Sequence, residues 1–307
     1  MLRLLRYIFI FLLLSISALL AYILIPVMSD PTVDVIERKG KLIQSNQEGI
    51  ASFGQMDYFN YTLRSDTGLK VLLSVRKPKS HNKPLPVVML LGGHRTGRNA
   101  VRLIETEKPV IVAALSYPHD ANPYAKGIDV YQYIPEYSKA FRDMAPAILL
   151  AFDFLAKQDY VDSSRMELAG ISLGAFLVSV AASKDDRIRR LWLIHGAGES
   201  EKVINHNLRH RFPNDVVRDW TAKLLTMLCY GDYVSPEKWV QRISPRKLVV
   251  INARDDERLP ASAVSTLHKA LPDQTEIIWM EGKHVEPGRK DVINELTEMV
   301  FQRVVAE

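Results

Sequence analysis

The chain has 307 residues, of which 47% are apolar and 24% charged, and its formal net charge is +5. This composition excludes a chain that is disordered throughout, and the net charge is too small to indicate a nucleic-acid-binding protein. The single cysteine, Cys229, excludes an intramolecular disulfide framework and a cysteine-rich zinc module.

Residues 1–29 carry an apolar segment that predicts a membrane anchor. Residues 7–27 contain no charged side chain, and a helix of about 20 residues spans about 30 Å, the thickness of a bilayer core. Arg3 and Arg6 precede the segment, which predicts a cytoplasmic N-terminus and a domain on the periplasmic or extracytoplasmic side. A cleaved signal peptide with a cleavage site near residues 15–17 is the alternative, and the domain would then be secreted.

The rest of the chain predicts a linker followed by one α/β domain. Residues 30–55 are polar and weakly patterned, as in a linker, whereas residues 56–307 alternate short apolar runs with helical patterns. The expected strands are residues 58–64, 69–76, 87–91, 110–115, 166–169, 191–194, 248–251 and 276–280. The expected helices are residues 139–158, 173–183, 261–271 and 291–305. This alternation predicts a mostly parallel sheet with helices on both faces.

Residues 199–239 lie between two expected buried strands and are too long for an ordinary crossover. A helical pattern at 216–228 predicts a helical insertion, which either covers a ligand crevice or only elaborates the connection. Within it, residues 205–211 are rich in histidine and arginine and predict a solvated basic face, with attraction to anionic lipid or an acidic substrate as the alternative. His206 and His210 have no evident carboxylate partner, so we expect no metal site there.

Residues 170–174 read Gly-Ile-Ser-Leu-Gly and match the G-x-S-x-G pattern. The pattern follows an expected strand and opens an expected helix, which is the context in which such a serine is a nucleophile on a tight turn. The glycines avoid side-chain clashes in that turn, and the helix N-terminus places free N–H groups near the reacting oxygen. Ser172 is therefore the predicted nucleophile, and the N–H of Leu173 is a predicted oxyanion donor.

A serine nucleophile needs a base, and the base needs an orienting acid. His284 follows the last expected strand, so its loop lies at the edge of the sheet from which it can reach Ser172. The acid is expected after the preceding strand, where Asp255, Asp256 and Glu257 are adjacent. The same three residues could instead form a solvated acidic turn that caps the next helix.

The order serine, acid, histidine is that of an α/β-hydrolase triad. Residues 56–305 resemble the α/β-hydrolase superfamily, most nearly its dienelactone hydrolase and prolyl-oligopeptidase-like branch. The resemblance is carried by residues 161–172, Val-Asp-Ser-Ser-Arg-Met-Glu-Leu-Ala-Gly-Ile-Ser, and by residues 256–260, Asp-Glu-Arg-Leu-Pro. In that branch the acid stands four residues before the proline, which points to Asp256, with Asp255 as second choice. The resemblance implies an α/β-hydrolase fold with an eight-stranded sheet and hydrolysis of an ester, thioester or peptide.

The loop after the strand at 87–91 departs from the superfamily, in which this strand is followed by His-Gly or His-Gly-Gly. Here residues 91–95 read Leu-Gly-Gly-His-Arg, and we expect the second oxyanion donor to be the N–H of His94. Residues 92–99 also have the spacing of a phosphate-binding loop. Arg98 and Asn99 replace its lysine and its magnesium-binding hydroxyl, so nucleotide binding is not expected.

These residues together predict an exported, membrane-anchored serine hydrolase, carboxylesterase-like, with Ser172, Asp256 and His284 as its triad. Its partners would be a small acyl-ester or thioester substrate and the membrane, through the N-terminal helix. We expect no nucleic acid, no cofactor and no metal, and the sequence does not indicate an oligomeric state. A serine peptidase of the same fold and a catalytically weak binding protein are the alternatives.

Overall fold

The computed structural model describes residues 2–93, 96–119, 133–243 and 246–306. In these ranges nine strands form one sheet in the order β1-β2-β3-β5-β4-β6-β7-β8-β9. The strands are β1 Leu42–Phe53, β2 Met56–Ser65, β3 Lys70–Pro78, β4 Leu85–Leu91, β5 Ile111–Leu115, β6 Val161–Ile171, β7 Ile188–Ile194, β8 Lys247–Ala253 and β9 Glu276–Met280.

Most of the sheet is parallel, as the sequence predicts. Strands β5, β4, β6, β7, β8 and β9 pair in parallel, whereas β1, β2 and β3 pair antiparallel at one edge, where β3 meets β5. Strands β4 and β5 are buried along their whole lengths. A parallel strand is covered by helices on both faces, which explains why these strands are continuous apolar runs in the sequence.

Helices cover both faces of the sheet. The helices are α1 Leu2–Val27, α2 Val35–Lys39, α3 Ile134–Arg142, α4 Met144–Leu155, α5 Val178–Lys184, α6 Ser200–Leu208, α7 Asp215–Leu228, α8 Gly231–Val234, α9 Ala261–Ala270 and α10 Lys290–Ala306. The apolar faces of α4, α5 and α9 pack in one hydrophobic cluster, and that of α10 packs in a second one. The predicted insertion at 199–239 is helical, because it contains α6, α7, α8 and a short 3-10 turn at Pro236–Lys238.

The predicted helix at 139–158 is two helices in the structure. The first begins earlier, at Ile134, and the chain bends at Asp143 before α4 begins at Met144. Pro146 therefore falls in the first turn of α4, where its missing N–H leaves no helical hydrogen bond unmade. The proline that is awkward inside one long helix fits the start of a second one.

The predicted linker at 30–55 contains regular structure, and the sheet has nine strands in the described residues, whereas the resemblance implied eight. Helix α2 and strand β1 both lie in this segment. Strand β1 is exposed at eleven of its twelve residues, so its sequence shows no alternation between a buried and an exposed face. It is held by antiparallel pairing with β2, from Leu42 opposite Ser65 to Phe53 opposite Met56.

The predicted membrane segment at 7–27 falls within helix α1. The side chains of residues 16, 19, 20 and 22–27 lie outside the described part of the structure. As far as the helices are described, none combines the length and the apolar character needed to cross a bilayer. The predicted transmembrane helix is therefore not supported.

Candidate active site

Ser172 stands on a sharp turn between β6 and the 3-10 turn Ser172–Phe176. Its φ of 55° is left-handed, a conformation that is uncommon for residues other than glycine. The two glycines of the motif are required by close packing: a Cβ at Gly174 would lie 1.8 Å from the carbonyl oxygen of Leu91, and one at Gly170 would lie 2.5 Å from Val178. The predicted helix at 173–183 thus begins as a 3-10 turn and becomes α-helical only at Val178.

The structure brings Ser172, His284 and Asp256 together in one hydrogen-bonded chain. Ser172 Oγ lies 2.6 Å from His284 Nε2, and His284 Nδ1 lies 2.7 Å from Asp256 Oδ2. The His284 side chain is 2% exposed and follows β9, and Asp256 follows β8. With a proton on Nδ1 that is donated to Asp256, the lone pair of Nε2 faces the serine hydroxyl and can accept its proton.

Asp256 rather than Asp255 occupies the acid position. Asp256 Oδ1 accepts the backbone N–H groups of Arg258 and Leu259 at 2.9 and 3.1 Å, which leaves Oδ2 for His284. Asp255 lies on the exposed side of the same turn. Burial alone would raise the pKa of Asp256, but its contacts with His195 and His284 and the hydrogen bond from the N–H of Arg258 hold it well below its usual range. The carboxylate is therefore ionised whenever His284 works as a base.

His195 is a fourth member of this group; its place at the end of an expected strand, before Gly196, favours a structural role in the sequence, with a place in the pocket lining as the alternative. It follows β7 directly, is fully buried, and its ring lies 5.3 Å from the His284 ring in an edge-on arrangement. Its Nδ1 accepts the N–H of Val285 at 3.0 Å, and its Nε2 faces the Met280 sulfur at 3.3 Å. Because Nδ1 accepts the N–H of Val285, it has no proton to donate to Asp256 Oδ2, which lies 3.4 Å away.

The same geometry speaks against a metal at this point. His195, Asp256 and His284 offer three ligand atoms within 4.8 Å of one another. The ring nitrogens that face Asp256 are already engaged, by the N–H of Val285 at His195 and by Asp256 itself at His284. A metal ion would have to break both hydrogen bonds. The signal for His195 in the sequence was only its position at the end of a buried strand, which places it at the edge of the sheet where the triad assembles.

Glu257 fixes the loop that carries His284. Its Oε2 accepts the N–H of His284 at 3.1 Å, and its Oε1 lies 3.0 Å from Arg289 Nη2. Arg289 also donates to the carbonyl oxygen of His284. Although desolvation works in the opposite direction, these N–H groups and the Arg289 guanidinium lower the pKa of Glu257 to about 2.

The helical insertion packs against the acid turn. His206 Nε2 lies 3.1 Å from the carbonyl oxygen of Glu257, and Asn207 donates to the carbonyl oxygen of Arg258 at 2.9 Å. The basic stretch at 205–211 is therefore not simply a solvated face, because two of its side chains support the turn that carries Asp256. His210, by contrast, is exposed.

The insertion also closes an apolar cavity of about 260 Å³ at the C-terminal edge of the sheet. Leu225 and Leu228 of α7 face Tyr117, which follows β5, and Phe141 of α3 across it. Cys229 lines the cavity as well, and burial raises the pKa of its thiol to about 12, so the thiol stays protonated near neutral pH. The insertion thus lines an apolar cavity, and its role as the cover of a ligand crevice stays a prediction.

The two predicted oxyanion donors differ in what the structure says about them. Leu173 follows Ser172 in the first turn of a helical segment, where N–H groups lack acceptors within the helix. His94 lies outside the described residues. The loop that leads to His94 is held by Tyr117, whose hydroxyl donates to the carbonyl oxygen of Gly92 at 3.0 Å.

No protein-family profile and no curated protein matches the sequence. Among solved structures, the chain is similar to acetyl xylan esterase 1 from Thermoanaerobacterium sp. JW/SL YS485, with 14% identity, a TM-score of 0.62, and coverage of 86% of this chain and 87% of that one. An acetyl xylan esterase from Paenibacillus sp. R4 gives 17% identity, a TM-score of 0.61, and coverage of 88% and 92%. The alpha/beta hydrolase GrgF from Penicillium sp. sh18 gives 13% identity, a TM-score of 0.58, and coverage of 81% of this chain and 99% of that one. At these identities the likeness shows the fold, and the predicted α/β-hydrolase fold is confirmed.

Proposed function

We propose that this chain, which has the α/β-hydrolase fold, is a serine hydrolase that cleaves a small carboxylic ester. The observation that carries the proposal is the hydrogen-bonded chain from Ser172 through His284 to Asp256, with distances of 2.6 and 2.7 Å. Nucleophile, base and acid stand in the order and the geometry that acyl transfer needs. The similar solved structures include two acetyl xylan esterases, so a short acyl ester such as an acetyl ester is the first substrate to test.

In the proposed reaction, Ser172 Oγ attacks the acyl carbon while His284 Nε2 accepts the hydroxyl proton. Asp256 holds the Nδ1–H tautomer of His284 and stabilises the imidazolium that forms. The N–H groups of Leu173 and His94 donate to the tetrahedral oxyanion. His284 then gives its proton to the leaving alcohol oxygen, and the acyl group stays on Ser172. In the second half, His284 takes a proton from water, the hydroxide attacks the acyl-enzyme, and Ser172 Oγ regains the proton as the acid leaves.

The test is hydrolysis of p-nitrophenyl acetate and butyrate by the full-length protein and by Ser172→Ala. Loss of the nucleophile is expected to lower kcat at least about 10³-fold. Ser164→Ala is the matched control, because Ser164 is exposed near the start of β6, where its hydroxyl donates to Asp162. Equal hydrolysis by wild type and Ser172→Ala would contradict the proposal.

We also propose that the N-terminal segment takes the domain out of the cytoplasm, either as an uncleaved anchor or as a cleaved signal. The support is the uncharged run at 7–27 after Arg3 and Arg6. Fractionation of cells that express the chain with a C-terminal epitope tests this point. The tag is expected in the membrane or the exported fraction, and a tag confined to the cytoplasm would contradict it.

A further inference from the structure

A second, basic cavity lies at the same edge of the sheet as Ser172. It has a volume of about 480 Å³ and is enclosed by the turn between β2 and β3, the loop after β5, and helices α2 and α3. Strand β3 runs antiparallel to β5, so the start of β3 and the end of β5 meet at the edge where the triad assembles. The cavity therefore opens on the side of the molecule where a substrate would approach.

The walls of this cavity carry a surplus of three positive charges. Two carboxylates, Glu136 and Asp143, stand against five cationic side chains: Arg38, Arg64, Lys70, Lys139 and Arg142. The carboxylate of Asp143 is committed to Arg38 at 2.7 Å, and Arg38 also binds Asp34 and the carbonyl oxygen of Arg142. Arg38 thus builds the wall, and the cations offered to a ligand are Arg142, Arg64 and Lys139.

Arg142 brings to this wall a guanidinium that is only partly satisfied. Its Nε is buried and has no hydrogen bond in the described part of the chain, and its Nη2 lies 3.5 Å from Asp34 Oδ2, at the limit of a hydrogen bond. A buried N–H without an acceptor costs free energy that an incoming oxygen would recover. A guanidinium presents its N–H groups as a planar fork that suits carboxylate, sulfate and phosphate oxygens. Arg64 and Lys139 add exposed positive charge to the same wall.

The cavity is connected to the candidate active site through Tyr117. This residue lines the basic cavity and the apolar cavity beside α7, and its hydroxyl holds Gly92 in the loop after β4. Strand β4 lies between β5 and β6, which carries Ser172. Neighbouring strands are about 4.8 Å apart, so Tyr117 at the end of β5 lies roughly 10 Å from the strand that carries Ser172, and Arg64 on β2 lies roughly 19 Å from it. An elongated substrate spans that distance.

We propose that this cavity binds an anionic group of the substrate, a carboxylate, sulfate or phosphate, while the ester bond lies at Ser172. The inference rests on the proposed function and names its substrate class, an elongated ester that carries a negative charge roughly 10–20 Å from the scissile carbonyl.

Binding of the anion alone tests the cavity without any catalysis. We would titrate the full-length protein with inorganic phosphate and with sulfate and follow binding by calorimetry. The affinity for at least one of them is expected to fall about tenfold in Arg142→Gln, a loss typical of one charged contact, and also in the double variant Arg64→Gln/Lys139→Gln. Both residues of the double variant are exposed, so it keeps the test valid if Arg142→Gln folds poorly. Arg303→Gln is the control, because Arg303 pairs with Glu276 at the far strand of the sheet. Equal affinities in all four proteins, or no binding by the wild type, would overturn the proposal.

A matched pair of esters separates the anion site from the hydrolase activity. We would compare p-nitrophenyl esters of long-chain monocarboxylic acids with those of dicarboxylic acids of the same length, chosen so that the end group lies roughly 10–20 Å from the ester, and acetyl esters of long neutral alcohols with those of equally long alcohols that end in a sulfate. The ratio of kcat/KM for anionic to neutral ester is expected to exceed one in one of the two series and to fall about tenfold in Arg142→Gln. If phosphate or sulfate binds but neither ester is cleaved, the proposed function fails and the anion site stands. If neutral esters are cleaved with no preference for the anionic ones, the substrate class fails and the hydrolase stands.

Discussion

Two residues of the candidate site hold a left-handed backbone although neither is glycine. Ser172 has a φ of 55° and His195 a φ of 49°, and both follow a strand of the parallel sheet directly. Such a conformation costs about 1–3 kcal/mol and persists only where the surroundings fix it. Two hydrogen bonds fix the conformation of His195. Its backbone N–H donates to the carbonyl oxygen of Ile251 at 2.7 Å, and its ring Nδ1 accepts the N–H of Val285 at 3.0 Å. The left-handed backbone turns both side chains toward the edge of the sheet where Asp256 and His284 lie.

His195 is a positioning residue. Two substitutions separate the effect of its acceptor nitrogen on catalysis from the effect of its size. In His195→Leu the buried N–H of Val285 loses its acceptor, which costs about 1–3 kcal/mol and displaces the residue next to His284. We expect kcat for p-nitrophenyl acetate to fall about tenfold or more with KM unchanged, because the change touches the base and not the substrate crevice. His195→Asn keeps an acceptor near the position of Nδ1 and is expected to restore most of kcat. A fall in both variants alike, or a change confined to KM, would contradict this role.

The substitution Gly174→Ala tests how closely β4 packs against the turn that carries Ser172. The Cβ that Gly174 lacks would lie 1.8 Å from the carbonyl oxygen of Leu91, so Gly174→Ala must push β4 away from the turn of Ser172. Overpacking of this kind costs about 1–3 kcal/mol or more, and we expect a lower Tm together with loss of ester hydrolysis. Gly49→Ala is the control, because nothing lies within 4 Å of a Cβ there. An unchanged Tm in Gly174→Ala would show that the turn is looser than described.

At the scale of elements, the site is made by loops that leave parallel strands at the same edge and are then tied to one another. The turn after β8 supplies Asp256, and the loop after β9 supplies His284. Glu257 bridges the two loops through the N–H of His284, and helix α6 of the insertion holds the acid turn from the other side through His206 and Asn207. Each loop is thus positioned by a partner that is distant in the sequence.

The bridge made by Glu257 predicts a pH-dependent contribution to stability. The pKa of Glu257 is lowered from its ordinary value of 4.5 to about 2, so the ionised carboxylate stabilises the folded chain fully above pH 4.5. This contribution is lost as the pH falls through about 2. We expect Glu257→Gln to lower the urea midpoint near neutral pH, and its difference from wild type to shrink as the pH falls below 4.5.

Glu276→Gln is the control for that experiment, because it removes an exposed ion pair with Arg303 at the start of β9, the end away from the His284 loop. A difference between Glu257→Gln and wild type that stays constant across the acid range would show that the carboxylate charge is not what holds the loop.

At the scale of the whole molecule, the sequence predicts those parts of the fold whose burial requires a recognisable pattern of apolar residues. Strands β4 and β5 are buried on both faces and appear as continuous apolar runs, and β9 has the bounds predicted for it, Glu276–Met280. Ser172 and His284 could be identified as candidate site residues from the sequence, because both follow expected strands and therefore lie at one edge of the sheet.

Features without such a pattern were not predicted. Strand β1 is polar and exposed, and only its pairing with β2 makes it a strand. The bend at Asp143 follows from the packing of α3 and α4 as separate helices. His195 gains its role from contacts with loops that lie 61 and 90 residues further along the chain, at Asp256 and Val285. No local rule applied to one segment can supply a contact of that kind.

Covalent labelling of the full-length protein with a fluorophosphonate, followed by peptide mapping, tests the central claim most directly. Only a serine that is activated by a base and faces oxyanion donors reacts readily with such a probe. The hydrogen bond of 2.6 Å between Ser172 and His284 predicts a single adduct on Ser172, absent in Ser172→Ala and retained in Ser164→Ala. A folded protein that takes up no label, or one that is labelled equally in Ser172→Ala, would contradict the account.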